Sequence, residues 1–245
     1  MDPQRLLQPN AFAGDDGTEQ AMFSQALAIA NPMRRHEALV AALTTGRVLL
    51  AVQAHPHPGR ATVATIGRRA AVGEDSEPSG ETSGVASNLR VDGPGGRPAF
   101  AVFSSADRVG AFNSAARPLP LAGKAAAAQA LATGGMLVLN PGDEEEFIGR
   151  SALAAISAAE PWLAPWNDSD IATRIGQSVR DCEFVRGVSI SMRRGGVTLV
   201  LLHMAQRAER AAAADAVLRA TQAIAHDGYL RARLDAVEVV PVRDI

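Results

Sequence analysis

The sequence predicts an α/β (α+β) protein of two small domains, each a mixed sheet with helices packed on it. Three observations carry this expectation. Stretches with helical spacing alternate with short apolar runs along all 245 residues, and a proline-marked stretch from Pro161 to Asn167 interrupts both patterns. The composition, 47% hydrophobic and 20% charged, is that of a chain able to bury a core. That length suits one large domain or two small ones.

The first domain is expected over residues 6–158. Thr18 to Ala30 is an alanine-rich helical stretch that stops where Asn31 precedes Pro32, because proline pushes its predecessor out of the α region. Met33, His36, Val40 and Leu43 recur at helical spacing, with Gly46 beyond the end, and Arg47 to Val52 reads as a strand. Periodicity then fails, and the polar run Glu74 to Gly84 lies inside an expected mobile loop at about 55–86. Ser87 to Val91 and Pro98 to Phe103 form a hairpin about Asp92-Gly93-Pro94-Gly95-Gly96. Ser104 or Ser105 caps a short helix over Ala106 to Phe112, and a link marked by Pro118 and Pro120 leads to a helix from Leu121 to Thr133. A strand, Met136 to Leu139, a solvated acidic turn, Asp143 to Glu146, and a helix, Ser151 to Ala159, complete the domain.

The second domain, 168–245, reads α-β-β-α-β. A helix over Ser169 to Ser178 precedes Val188 to Met192, which alternates as a strand with one solvated face should. After the turn Arg193-Arg194-Gly195-Gly196, Val197 to Met204 is nearly all apolar and reads as a central strand buried on both faces. A long helix, Arg207 to His226, and a strand, Ala236 to Val242, follow.

Several functions are disfavoured by composition and motif. The net charge is −2 and the basic residues are spread along the chain, so no nucleic-acid partner is expected. No run approaches the length of a membrane span and no secretory h-region follows Met1, which predicts a cytoplasmic protein with no membrane partner. The single cysteine, Cys182, lies between Asp181 and Glu183, which would raise its thiol pKa and suit a structural role. No nucleotide fingerprint or nucleophile elbow is present, and no cofactor, catalytic residue or metal site is expected. His55 and His57 read as loop decoration, and His36 and His203 as core histidines holding one hydrogen bond each.

The stretch Ala11-Phe12-Ala13-Gly14-Asp15-Asp16-Gly17 stands apart, with one aromatic and two acids set between glycines before the first helix. Its first reading is a capping turn pinned by Phe12, in which an Asp accepts free helix N–H groups. Its second makes Phe12, Asp15 and Asp16 a ligand site.

That stretch, AFAGDDG, together with AVFSSADRVGAFNSAARPLPL (Ala101 to Leu121) and LVLNPGDEEEFIGRSAL (Leu137 to Leu153), resembles actinobacterial proteins of the SseB family, named for enhanced serine sensitivity. Residues 168–245 resemble the family's C-terminal domain in arrangement, and the polar segment His55 to Gly84 departs from the family's more compact one. The resemblance implies two α/β domains, a cytoplasmic location and no established catalytic residues or cofactor. The expectation is a non-enzymatic interaction or regulatory protein that binds another protein or a second copy of itself. The alternative is a binding protein for a small, amino-acid-related molecule, or an enzyme linked to serine tolerance.

Overall fold

The computed structural model describes residues 12–53, 90–142 and 144–243. The expected mobile loop at 55–86, His55, His57, Asp143 and residues 6–11 lie outside the described residues.

Among the described residues the chain forms eight helices and nine strands, mixed α/β as the patterning predicts. Helix α1 (Ala21–Leu27) and helix α2 (Pro32–Thr45) are separated by Asn31, whose side chain accepts the N–H of Arg34 while Pro32 occupies the first helical position. Strand β1 (Arg47–Gln53) follows at once. Strands β2 (Arg90–Asp92) and β3 (Pro98–Val102) make the expected hairpin. Ser105 caps α3 (Ala106–Phe112) by accepting the N–H of Arg108.

The proline-marked link proves to be a strand, β4 (Ala116–Ala122), antiparallel to β1 in a two-stranded sheet. Prolines are tolerated there because Pro118 and Pro120 stand two residues apart on an edge, where a missing N–H withdraws no ladder donor. Helix α4 (Gly123–Thr133), strand β5 (Met136–Leu139), strand β6 (Glu146–Gly149) and helix α5 (Arg150–Ala158) complete the first half. Strand β6 corrects the solvated-turn reading of Glu146. That residue is 3% exposed and ion-paired with Arg35 of α2 at 3.2 Å, a partner 111 positions away.

The four-stranded sheet runs β2-β3-β5-β6, with β3 and β5 parallel. One face presents Phe100, Val102, Leu137, Leu139 and Ile148 to α2, α4 and α5, where Ala126, Ala127 and Ala130 let the helices pack closely. The other face carries Ala99, Ala101, Met136, Val138 and Phe147, and it packs against Ala236 of the second half. Double-sided burial accounts for the unbroken apolar runs of β3 and β5.

In the second half, α6 (Ser169–Val179), β7 (Val185–Arg193), β8 (Val197–Met204), α7 (Arg210–His226), α8 (Gly228–Arg233) and β9 (Val237–Arg243) follow the expected order. The sheet is β7-β8-β9, with β8 and β9 parallel across the α7 connection. Helices α6 and α7 cover the face bearing Val200, Leu202 and Met204. Strand β8 is central, as expected, but it is not buried on both faces: Val197, Leu199, Leu201 and His203 are only half-buried and point away from the helices.

The junction is built from complementary backbone. The Phe147 N–H donates to the Gly195 carbonyl at 3.3 Å, and the Gly195 N–H bonds the Glu146 carboxylate. Gly196 is required there. Its φ is +83°, and a Cβ would fall 2.1 Å from the Phe147 carbonyl oxygen. Helix α5 has no side-chain cap of its own, and Asp235 of the second half accepts the Ser151 N–H at 3.4 Å. The Pro161 to Asn167 stretch is packed: Trp162 and Trp166 stand 5.5 and 6.1 Å from the His36 ring, centroid to centroid.

Candidate functional site

The three stretches that carry the family resemblance meet in space at the carboxyl ends of the parallel strands β3 and β5. Each apolar strand run ends in a short polar residue, Ser104 after β3 and Asn140 after β5. Asn140 takes a left-handed conformation, φ +52°, which asparagine adopts more readily than most residues. Its side-chain oxygen accepts the Ser104 N–H at 2.9 Å, and its N–H group donates to the Ser104 hydroxyl at 3.0 Å. The Ser104 hydroxyl in turn donates to the Glu19 carboxylate.

Arg47, the first residue of β1, is the hub of the adjoining AFAGDDG turn. It is 3% exposed. Its Nε and Nη2 donate to the two oxygens of Asp15 at 2.5 and 2.9 Å, Nη1 donates to the Ser104 carbonyl at 2.8 Å, and Nη2 also reaches the Thr18 carbonyl. Hydrogen bonding from Arg47 holds the Asp15 carboxyl below the usual range. Asp16 accepts both the N–H and the hydroxyl of Thr18, and these bonds lower its pKa. Gly17, at φ +78°, packs on α3, and a Cβ there would lie 2.8 Å from that of Ala106.

This geometry overturns the capping reading. Helix α1 begins at Ala21 with Gln20 at its N-cap and no side-chain cap bond, so neither acid reaches it. Asp15 is instead the counter-ion of a buried arginine, and Asp16 closes a local turn. Phe12, Asp15 and Asp16 do line one shallow cleft of about 490 Å³ with Thr18, Gln20 and Arg47.

On the far side of Ser104 a second cleft of about 390 Å³ is bounded by Phe103, Arg108, Phe112, Asn140, Pro141 and Glu144. Arg108 donates to Glu144 at 2.7 Å and lies 3.7 Å from Glu19. Its guanidinium holds the Glu144 carboxyl below the ordinary value. The polar groups of this end are thus committed to one another: a fully buried hydroxyl donates a hydrogen bond to a carboxylate, and the arginines carry paired acids. The arrangement fixes three loops relative to one another.

Sequence reasoning named Phe12, Asp15 and Asp16, offered Ser104 only as an alternative helix cap, and missed Glu19, Arg47 and Asn140. The available signal was a serine or an asparagine directly after each apolar strand run.

The histidine expectations hold in part. His36 is 3% exposed, but its Nδ1 has no hydrogen-bond partner among the described residues, and burial pushes its pKa down to about 4. His203 lies on the open sheet face, not in the core, with its Nε2 2.8 Å from the Ser189 hydroxyl. Cys182 is buried, and burial foremost, with Asp215 beside it, raises its thiol pKa. No group of three metal-binding side chains occurs among the described residues, and none of their helices is long and apolar enough to cross a membrane.

No curated protein and no solved structure matches the chain. The family model described as the SseB protein N-terminal domain matches residues 23–155, more than half of the chain, and spans both Ser104 and Asn140. The chain therefore belongs to the SseB family.

Proposed function

We propose that this SseB family protein is a non-enzymatic, cytoplasmic interaction or regulatory protein, and that it engages a protein partner through the open face of the β7-β8-β9 sheet. The supporting observation is an apolar surface. Val197, Leu199 and Leu201 of β8 lie beside Val240 and Val242 of β9 on one face, and none of the five joins a hydrophobic cluster of the described residues. Ser189 and Ser191 of β7 complete the rows, opposite Leu201 and Leu199. The five are half-buried, and Glu238, next to Leu199 and ion-paired with Arg193 at 3.3 Å, borders them; an apolar patch with a polar rim marks interaction sites. A partner meets the face and not the β9 edge, because Pro241 removes a donor from that edge.

The test is the double substitution Leu199→Lys, Leu201→Lys, which places two charges on the face without touching the α6–α7 side. Size-exclusion of native lysate should show the parent above its own mass and the variant at monomer mass, with unchanged near-UV circular dichroism. Sedimentation of the purified parent tells a second copy from a different protein. A variant that co-migrates with the parent overturns the reading.

The alternative of small-molecule binding is favoured by a separate groove beside α2.

A further inference from the structure

A further cleft lies away from both the open sheet face and the Ser104–Asn140 network. It is a groove of about 560 Å³ between α2 and the Pro161 to Asn167 stretch, a size typical of small-molecule sites. Val40 and Thr44 of α2 line one side, Pro161 and Trp162 the other, and Glu37 and Glu160 both contribute to its lining.

The carboxylates decide what the groove suits. Glu37 is positioned by two neutral donors on one oxygen, Trp166 Nε1 at 2.7 Å and Asn167 Nδ2 at 3.0 Å. Its second oxygen receives no hydrogen bond from a described residue, and neither Glu37 nor Glu160 pairs with an arginine or lysine among them. Every other described acid that is half-buried or buried has a cation or a helix N-terminus: Glu19 has Arg108, Asp227 has Arg174, Glu146 has Arg35, Asp168 has Arg233, and Asp235 accepts a first-turn N–H of α5. Glu37 is held in place by uncharged groups, with no cation beside it among the described residues.

We propose that this groove is a binding site for a small aliphatic guanidinium or ammonium compound, with the cation between Glu37 and Trp162 and the chain along Val40 and Thr44. Three features match that chemistry. A carboxylate oxygen accepts charge-assisted hydrogen bonds from such a head, and a planar guanidinium can take two at once. Trp162 is half-buried, oriented by its N–H bond to Ser151 Oγ at 3.3 Å, and tryptophan is the strongest of the aromatic side chains at holding a cation. The apolar wall provides for the methylenes. A second cation on the same molecule finds Glu160. Charge complementarity excludes the reverse ligand, since a carboxylate in this groove meets two acids and, among the described residues, no base.

The site is independent of the open sheet face, so the two proposals fail separately. Calorimetric titration of the full chain with butylguanidinium measures the first interaction, and agmatine, with a guanidinium at one end and an amine at the other, adds the second. The expected order of affinity is agmatine, then butylguanidinium, with n-butanol and butyrate showing no binding. Glu37→Gln keeps an acceptor for Trp166 and Asn167 and so keeps the fold, which an unchanged melting temperature confirms. It should weaken both cations about tenfold or more, the usual worth of a charged hydrogen-bond partner. Glu160→Gln should remove only the advantage of agmatine.

Absence of butylguanidinium binding, butyrate binding as well as the cation, or a Glu37→Gln affinity within twofold of the parent each overturns the proposal. Binding only of an arginine presented within a peptide also overturns it, and would make the groove a protein-docking site instead.

Discussion

Replacement of Asp15 by Ala strands the guanidinium of Arg47 in the interior. That side chain is 4% exposed and keeps two acceptors, the carbonyls of Ser104 and Thr18, after the carboxylate is gone. Removing one partner of a buried ion pair costs ~3–5 kcal/mol. Two surviving carbonyl bonds, and a turn open to solvent on its outer side, place this case at the low end, about 3 kcal/mol. Asp15→Asn retains one acceptor without the charge and should fall between parent and Ala. Asp16→Ala removes only a local turn on the surface and should leave stability almost unchanged. The decisive variant is the double change Asp15→Ala, Arg47→Met, which takes away the stranded charge and should recover much of the loss. Urea unfolding at pH 7 measures all four. The ion-pair account fails if Asp15→Ala is no more costly than Asp16→Ala, or if the double variant is no more stable than Asp15→Ala. The pH dependence has a definite sign as well. The folded pKa of Asp15 is depressed, so its contribution is present above the unfolded value near 3.8 and is lost as pH falls through the lower folded value.

His36 gives a second pH effect of different origin. Burial keeps it neutral to about pH 4 against an ordinary 6.5, so the unfolded chain takes up a proton first and stability falls as pH drops from about 6.5 to about 4. The full shift corresponds to about 3 kcal/mol. Glu146 and Asp235, whose carboxyls burial pushes up, act in the opposite sense, so the comparison of parent with His36→Leu isolates the histidine. A variant whose urea midpoint declines as steeply as the parent's over that range would refute the assignment. Gly196→Ala sets a methyl against the Phe147 carbonyl at a positive φ and should cost more than about 2 kcal/mol. Hydrogen exchange should then quicken at the Phe147 N–H and the Gly195–Gly196 turn, and unchanged protection at those amides would show that the contact is dispensable.

Elements with a local cause were legible in the sequence. Helix α2 follows from its spacing and from Asn31-Pro32, and Ser105 announces α3. Strands β3 and β5 are apolar runs that nothing local contradicts. Those with a distant cause were not. Strand β4 looks like a link because its prolines are acceptable only once β1 lies on the other side, and Glu146 looks solvated because Arg35 comes from another part of the chain. The both-faces reading of β8 failed for a related reason: an apolar run records that a strand avoids water, not which layer covers each side. The candidate site was half visible. AFAGDDG stands out in the sequence, yet the role of Asp15 depends on an arginine 32 residues later that a sequence pattern reads as the polar start of a strand.

The two-faced burial of the β2-β3-β5-β6 sheet bears on how the protein can be divided experimentally. The family match ends at residue 155, inside α5, whereas the sheet's second face is finished by residues beyond it. A fragment cut at that point bares Met136, Val138 and Phe147, leaves α5 without the carboxylate that satisfies its first turn, and returns Glu146 to a position without the Gly195 amide. Such a fragment should be sticky in isolation. The stretch matched by the family model is expected to be shorter than the stretch that stands alone in water, so binding studies on this protein call for both halves together.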